Sequence, residues 1–516
     1  MNLRLVLLGS DTFAHPLRRL GHEALTCGSQ GDLPLADPDP EWAALDKLLK
    51  KRGFQADALL VTDDVGNRKL PSGIAQAPVI TAFYGVDSPL NEFWQQPYAR
   101  LFDLAWLDQP RPAERLAARH AAAAWLPVGV EPELYAQPRV EAETPGVCFV
   151  GVVNQRVRPK RSAILEKISK LAPLAVRGGR QEAWFPTQEA AKLYARQQIT
   201  LNENLFPGFT TRPLEVMASG GCLLSEAAPG AMDGAFKEFE HLCYFGPDDL
   251  ADKLNLLLKD DGLRQRLRRQ GRELVCQEHG LIQRAEVIVS KIEGMMQRAP
   301  ERPRAAGGEA LRLEGEALLM AGLRWPAKAG ARRVLRGAAR LRAAAADGAR
   351  PLPASRAAGL AELSLGRARE ALAHLGRARE LGGAREGLMY ALAAWQAGES
   401  GEFSASCQAL GLAGQPGESG FHLQAARLLA EAGHGASIGF NLGGLPPSLW
   451  SALEHLLEAT RLDAGHGAAW ETLGDLLMAQ GAPNQAAQAY DRACGLEKRD
   501  ELAAKRQEAA RKGFML

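Results

Sequence analysis

Short, continuous apolar runs dominate the hydrophobic pattern of residues 1–130. Such runs stand at 3–8, 58–61, 79–83 and 104–107, and this pattern is typical of parallel strands that are buried on both faces. A stretch with helical periodicity, 41–52, lies between the first two. Strands that alternate with helices predict right-handed crossovers and a doubly wound α/β sheet.

The same alternation resumes after a segment rich in proline and acidic residues, 127–146, which is typical of an interdomain linker. VCFVG (147–151) begins a second set of strands, which continues through LAVRGG, ITLNE and GCLLSE. Helices extend from there to about residue 296. We therefore expect an α/β protein with two Rossmann-like domains, at 1–130 and 146–298.

A third domain is predicted over 310–516, where Ala, Leu, Arg and Gly predominate and β-branched runs are rare. WETLGDLLMAQGAPNQAAQAYDRACGL carries small and aromatic residues at the spacings of a tetratricopeptide repeat. These positions are Trp470, Leu473, Gly474, Ala486, Tyr490 and Ala493, with Ala452 and Ala459 one repeat length of about 34 residues earlier and a weaker copy at Gly359, Ala371, Leu375 and Ala378. A single repeat cannot bury its own faces, so we expect an α-helical array of stacked repeats.

Composition narrows the class of protein. Apolar residues make up 46% of the chain, charged residues 24%, and the net charge is +2. These values are typical of a soluble globular protein and give no reason to expect a nucleic-acid partner. The arginine-rich stretch 332–379 also holds acids and many alanines, which favours a solvated helical surface over an RNA-binding face.

Cysteine usage and hydropathy indicate the compartment. The seven cysteines are scattered, without a Cys-x-x-Cys pair, which argues against a disulfide framework and a zinc site. The apolar runs are too short to span a bilayer. We expect a cytoplasmic protein without a membrane span or a metal.

The segment LNENLFPGFTTRPLEVMASGGCLLSE (201–226) predicts an anion site. A strand leads through a loop into a helix with proline in its first turn and a single acid, Glu215. Free N–H groups and the positive dipole end at such a helix start favour phosphate. Gly208 lets the backbone approach a diphosphate, and Thr210 or Thr211 can cap the helix or bind phosphate. Glu215 can accept both hydroxyls of a ribose, although on its position alone dipole compensation or a capping box is the better explanation.

Several segments resemble glycosyltransferases of the GT-B fold, and most of all the CgeB-like glycosyltransferases. VCFVGVVNQRVRPKRSAIL resembles the opening of that family's second domain, and the segment from PTQEAAKLYARQQ to SEAAPG resembles its donor-binding core. HLCYFGPDDLADKLNLLLKDDGLRQRLRRQGRELVCQEHG resembles its C-terminal helices, while VITAFYGVDSPLNEF is a weaker echo in the first domain. The resemblance covers roughly residues 55–290.

The resemblance implies a nucleoside-diphosphate sugar as donor substrate, with no separate cofactor. Glu215 matches the ribose-binding glutamate of the family and Arg212 the arginine just before it. Lys160 or Arg161, after the Gly151 loop, matches the basic position that neutralises the diphosphate.

One position departs from the family pattern. Many related retaining enzymes carry a second glutamate eight positions before the ribose-binding one, where this chain has Pro207. Asn202 or Asn204 can substitute for that acid, or the domain is non-catalytic.

The acceptor side is less specific. Asp11 and His15 follow the first predicted strand, and Asp87 ends another, so all three can face the interdomain cleft. In a retaining reaction the leaving phosphate can take the acceptor proton, so these candidate catalytic residues are not strictly required. His22, His120 and His279 are scattered, and we expect them to be structural or exposed.

The sequence therefore predicts a hexosyltransferase-type enzyme whose helical repeats bind a protein or peptide, such as the acceptor in protein glycosylation. The alternative is a non-catalytic repeat scaffold with a degenerate nucleotide-sugar-binding domain. A nucleotide-sugar epimerase on the same fold is the third possibility.

Overall fold

The computed structural model describes most of the chain. The described residues are 2–63, 68–137, 143–153, 159–178, 185–204, 208–228, 230, 232, 234–297, 302–325, 328–348, 350–435 and 451–515.

The first α/β unit is built on a parallel sheet. In the described part of the chain this sheet has seven strands in the order β3-β2-β1-β4-β5-β6-β7. Its strands are β1 (Arg4–Gly9), β2 (Glu23–Gly28), β3 (Leu33–Pro34), β4 (Ala58–Thr62), β5 (Ile80–Gly85), β6 (Leu104–Leu107) and β7 (Ala123–Trp125). Its helices are α1 (Ala14–Arg19), α2 (Trp42–Lys51), α3 (Ser88–Ala99) and α4 (Pro110–Ala117), with a 3₁₀ turn at Ile74–Gln76.

The second α/β unit follows a short helix, α5 (Pro132–Tyr135). Its described strands form a five-stranded parallel sheet in the order β12-β11-β10-β8-β9. The strands are β8 (Thr144–Val150), β9 (Leu174–Arg177), β10 (Gln197–Asn202), β11 (Leu223–Glu226) and β12 (Cys243–Phe245). The helices are α6 (Pro159–Ser169), α7 (Thr187–Arg196), α8 (Thr211–Ala218), α9 (Leu250–Lys259), α10 (Asp261–Glu278) and α11 (Leu281–Gln297). The prediction of two parallel α/β sheets is confirmed.

Helices make up the described part of the chain after residue 306, as predicted. They are α12 (Gly307–Arg324), α13 (Lys328–Asp347), α14 (Pro351–Ser364), α15 (Ala368–Leu381), α16 (Ala384–Ala397), α17 (Ser400–Leu410), α18 (Ser419–Glu431), α19 (Ala452–Leu462), α20 (Gly467–Ala479), α21 (Pro483–Leu496) and α22 (Asp500–Met515). In the last predicted repeat, a Cβ on Gly474 of α20 would lie 2.4 Å from the Tyr490 ring of α21. Glycine therefore permits the close helix contact that the repeat pattern predicts, while the assignment to tetratricopeptide repeats stays a prediction.

Both faces of the first sheet are covered by helices from later in the chain. On one face, Ile288 and Ile292 of α11 join the cluster of Leu5 and Ile80. On the other, α12 contributes Leu313 and Leu318, which are buried. Burial of one such leucine stabilises by about 1.5–3 kcal/mol, so α11 and α12 are structural parts of the first unit.

Candidate functional site

The start of α8 lies at the carboxyl edge of the second sheet. Strand β10 ends at Asn202 and pairs in parallel with β11, and α8 connects the two. Thr210 is the N-cap residue, with extended backbone (φ −113°, ψ 166°), and Pro213 lies in the first turn. The order of strand, loop, helix and strand is the one that the segment 201–226 predicts, and it places the first amides of α8 at the sheet edge, where open α/β sheets bind ligands.

Glu215 is the fifth residue of α8, which places it beyond the N3 position of a capping box. Burial raises the pKa of its carboxyl group, while Arg212, Tyr135 and Thr211 oppose the shift. The Tyr135 hydroxyl donates to Glu215 Oε1 at 3.1 Å. The carboxylate is therefore a partly buried acceptor, and helix capping does not account for it.

Arg212 lies beside Glu215 on the same edge of the sheet. Its Nη1 donates to Asn202 Oδ1 at 3.2 Å, and its guanidinium lies 5.0 Å from the centre of the Phe149 ring. Gly151 makes room for this side chain, because a Cβ there would lie 2.9 Å from Arg212 Nη2. Gly151 also has φ +149°, a conformation that favours glycine. The structure thus brings Gly151, Asn202, Arg212 and Glu215 together.

Lys160 and Arg161 begin α6, but their charges are already paired. Lys160 Nζ lies 2.9 Å from Glu226 Oε1, and Arg161 Nε donates to Glu203 Oε2 at 2.7 Å. All four side chains are at most 8% exposed. Burial lowers the pKa of Arg161 and raises that of Glu226, and the two ion pairs oppose these shifts. In this conformation the basic pair stabilises the sheet edge and leaves Arg212 as the more accessible cation of the site.

The sequence analysis did not single out Glu203 and Glu226. Each stands at or directly after the end of an apolar strand, β10 for Glu203 and β11 for Glu226. Their position at strand ends could have identified them as site residues, because the carboxyl ends of neighbouring parallel strands meet at one edge of the sheet. Tyr135 and Phe149 were also missed. Tyr135 lies in the segment interpreted as a linker, and Phe149 was interpreted only as part of the apolar strand 147–151.

The loop before α8 is described from Gly208 onward, and Pro207 lies outside the described residues. Phe209 is buried, and its ring packs 5.5 Å from both Phe236 and His279. Gly208, Thr210 and Thr211 therefore stand next to a firmly anchored residue. Thr211 is exposed at the start of the helix.

The three predicted acceptor-side residues follow strands of the first sheet. Asp11 is exposed in the loop after β1, and His15 Nδ1 lies 3.2 Å from Glu131 Oε1. Asp87 precedes α3 with left-handed backbone (φ 49°, ψ 39°), which is uncommon for a residue other than glycine. Its amide donates to Asp108 Oδ2 at 2.8 Å. Asp87 is thus held in a strained position by a buried carboxylate.

Two further acids at this edge were missed, Asp63 after β4 and Asp108 after β6. Both are buried, and burial raises the pKa of Asp63 to about 7 and that of Asp108 to about 6. Asp63 pairs with Arg68 at 3.2 Å, and Asp108 accepts the Ser88 amide at 3.0 Å. The carboxyl edge of the first sheet is therefore an acidic region with carboxyl groups that titrate near neutral pH.

The histidines that were expected to be structural have protein partners. His120 Nε2 lies 2.8 Å from Phe102 O, and His22 Nδ1 accepts the Leu3 amide. Arg284 Nη2 lies 3.0 Å from His279 Nδ1, and burial lowers the pKa of His279 to about 4. Among the described residues, no group of three or more His, Cys, Asp or Glu is placed to hold a metal ion. Within the same residues no helix combines the length and apolarity needed to cross a membrane.

A family model described as Glycosyl transferase-like matches residues 158–290. The matched region contains Lys160, Arg161 and all of α8. The second α/β unit is therefore glycosyltransferase-like in sequence. A comparison with curated proteins found no match.

Several solved structures are similar to somewhat more than half of the chain. Starch synthase IV from Arabidopsis thaliana, bound to ADP and acarbose, has 10% identity and a TM-score of 0.43, with 58% of this chain and 100% of that chain covered. Anabaena Alr3699/HepE, in complex with UDP and glucose, has 11% identity and a TM-score of 0.42, with 57% and 100% covered. A glycosyltransferase from Rickettsia africae has 9% identity and a TM-score of 0.39, with 58% and 100% covered.

Proposed function

We propose that the chain is a glycosyltransferase that moves a sugar from a nucleoside-diphosphate donor to an acceptor in the cleft between the two α/β units. The observation that carries this proposal is the partly buried Glu215 carboxylate beside Arg212 at the start of α8. This arrangement lies inside the region that matches the glycosyltransferase-like model.

The chemistry of the site supports a nucleotide. The first amides of α8 and the Arg212 guanidinium both favour a diphosphate. A carboxylate in a poorly solvated site is a strong acceptor for the two hydroxyls of a ribose. Departure of the nucleoside diphosphate leaves negative charge on the phosphate, which the same cation and helix start would stabilise.

A nucleotide screen tests the proposal. Thermal shift and calorimetry would compare UDP, GDP, dTDP, ADP and their glucose conjugates on the wild type and on Glu215→Ala. A ligand that binds the folded state raises Tm according to RT ln(1 + [L]/Kd). We expect the nucleotides of one base to raise the Tm of the wild type and to leave the Tm of Glu215→Ala unchanged. Glu189→Ala, on the exposed face of α7, is the matched control and should keep the shift. The absence of any shift in the wild type would overturn the proposal.

We further propose that the helices after α12 hold a protein or peptide acceptor. A groove of about 210 Å³ lies where α3 of the first unit meets α12, α14 and α16. Its floor is apolar, and two arginines line it together with Glu316. The lining includes Phe93, Leu319, Leu360, Met389, Arg356 and Arg385. The groove lies between the acceptor-side unit and the helical array, so a segment bound there would contact both.

A truncation separates recruitment from chemistry. Because α12 completes the core of the first unit, the chain should be cut after Gly366, which keeps α12 to α14. We expect donor hydrolysis to persist and transfer to the acceptor to be lost. Unchanged transfer by the shortened chain would show that the later helices do not recruit the acceptor.

One observation favours a second candidate, a nucleotide-binding scaffold without turnover. Lys160 and Arg161 are buried against Glu226 and Glu203, so their charges are not free for a diphosphate in this conformation. Saturable nucleotide binding together with the absence of both hydrolysis and transfer would support the scaffold over the enzyme.

A further inference from the structure

Gln109 links the first α/β unit to the loop before α8. It follows β6 at the start of α4 and is 2% exposed. Its Nε2 donates to Phe209 O at 2.7 Å, and the Phe209 amide donates to its Oε1 at 2.8 Å. One carboxamide thus satisfies both backbone polar groups of a residue 100 positions away, as a neighbouring strand would.

Phe209 is held from the second unit as well. Its ring lies against Phe236 and His279, and His279 ends α10 just before the chain returns to the first unit. Where the chain crosses back to the first unit, the Leu281 amide donates to Val130 O at 2.7 Å. The loop residue therefore has its ring packed near the crossover between the units and its backbone bonded to the first unit.

The same glutamine connects to the acidic edge of the first sheet. Gln109 Nε2 lies 3.2 Å from Asp108 Oδ2, which also accepts the Asp87 amide. A continuous series of hydrogen bonds thus runs from Asp87 through Asp108 and Gln109 to Phe209. Phe209 is the last residue of this series. Thr210 and Thr211, which belong to the predicted phosphate site, follow it directly in the chain.

We propose that Gln109 is a positioning residue for the donor loop, the segment 208–210 that leads into α8. It fixes this loop when the two units are in contact. The inference rests on the proposed function, because it concerns the same nucleotide site. Separation of the units would leave the Phe209 N–H and C=O without their partners, and buried backbone groups are rarely left unbonded. The loop takes the geometry for phosphate binding only while the carboxamide is in place. Gln109 acts through Phe209 and need not touch the donor.

The test combines loop protection with nucleotide affinity in the full chain. Gln109→Leu removes both hydrogen bonds at similar side-chain volume. Gln197→Leu is the matched control, since Gln197 is also buried and donates to Thr144 O and Pro145 O within the second unit. Hydrogen exchange measured by mass spectrometry over 208–218, and calorimetry with UDP, GDP, dTDP and ADP, give the two readouts.

We expect Gln109→Leu, which loses two hydrogen bonds, to speed exchange in that peptide and to weaken nucleotide binding by about tenfold to 100-fold, and Gln197→Leu to do neither. Wild-type affinity in Gln109→Leu would overturn the inference, whether or not the loop exchanges faster. A wild-type chain that binds none of the four nucleotides would overturn the proposed function, and the inference with it.

A second variant covers the case in which Gln109→Leu does not fold. Gln109→Glu keeps the acceptor for the Phe209 amide but, when ionised, places a carboxylate against Phe209 O. Protonation restores a donor at that position. Nucleotide affinity of this variant should therefore recover at pH 5 relative to pH 8, beyond any change in the wild type. A lost affinity that acid does not restore would contradict the positioning role.

Discussion

The Tyr135 hydroxyl donates a hydrogen bond to Glu215 Oε1 across 3.1 Å, and this contact joins α5 to α8. Tyr135 belongs to the segment between the two sheets, which the sequence analysis interpreted only as a linker. Burial and the nearby Glu215 charge raise the pKa of Tyr135, so the phenol remains a donor at neutral pH. The linker thus orients the acid on which the proposed function depends.

Tyr135→Phe should weaken nucleotide binding by roughly threefold to tenfold, the equivalent of one net hydrogen bond of about 0.5–1.5 kcal/mol. Calorimetry with the nucleotide that binds the wild type would measure it. Tyr98→Phe is the control, because the Tyr98 hydroxyl donates to Pro71 O inside the first unit. Equal affinities for the two variants would show that Tyr135 does not orient Glu215.

Glu226→Gln should destabilise the chain by up to about 3–5 kcal/mol, because it leaves the buried Lys160 ammonium with only the more distant Glu203 carboxylate, 3.9 Å away, as counter-charge. Urea unfolding would show a lower midpoint. The double variant Lys160→Met/Glu226→Gln should regain much of the loss, since it removes both charges. Glu189→Gln, at an exposed pair with Lys192, should leave the midpoint unchanged. A double variant less stable than Glu226→Gln would contradict the interpretation of the pair as a structural unit.

Asp63 should make the chain less stable as the pH rises towards 7. Its ordinary pKa of 3.8 is raised to about 7, mainly by burial. Between these values the folded state binds the proton and the unfolded state does not, so the free energy of unfolding falls as pH increases. One group contributes at most about 1.4 kcal/mol per pH unit. Asp108, with a pKa raised to about 6, acts in the same direction.

Thermal unfolding between pH 4.5 and 8 measures this effect. Asp63→Asn cannot ionise and should lose that part of the decline, so its Tm should gain on the wild type as pH increases. Asp491→Asn, on an exposed part of α21, should follow the wild type. Parallel curves for the wild type and Asp63→Asn would show that Asp63 is ionised throughout.

Arg333 of α13 should be essential for attaching the helical array to the first unit. Its Nε and Nη2 bond Asp39 Oδ2 and Oδ1 at 2.7 and 2.8 Å, and both side chains are buried. Arg333→Met leaves Asp39 buried and unpaired, which should cost about 3–5 kcal/mol, measured by urea unfolding. Arg332→Met, at the exposed neighbouring arginine, is the control and should cost little. Comparable losses in the two variants would contradict a special role for Arg333.

Local pattern predicted the central strands because their apolar runs are uninterrupted. It missed β2 (Glu23–Gly28) and β7 (Ala123–Trp125), in which polar or small residues break the run. Position at a strand end predicted Asp11 and Asp87, and the same rule applied to every strand would have found Asp63, Asp108, Glu203 and Glu226. The spacing of residues along the chain does not predict which distant side chains come into contact in the fold. Arg161 meets Glu203 42 positions away, and Gln109 meets Phe209 100 positions away.

The cover that α11 and α12 provide for the first sheet also sets an order of folding during synthesis. When residues 1–130 leave the ribosome, the helices that close both faces of their sheet have not been made. The core of the second unit is drawn from residues 130–275, so it can be completed first although it is translated later. The N-terminal unit would remain exposed to chaperones until α12 emerges. Nascent chains stalled near residue 300 should therefore resist protease in the second unit before the first.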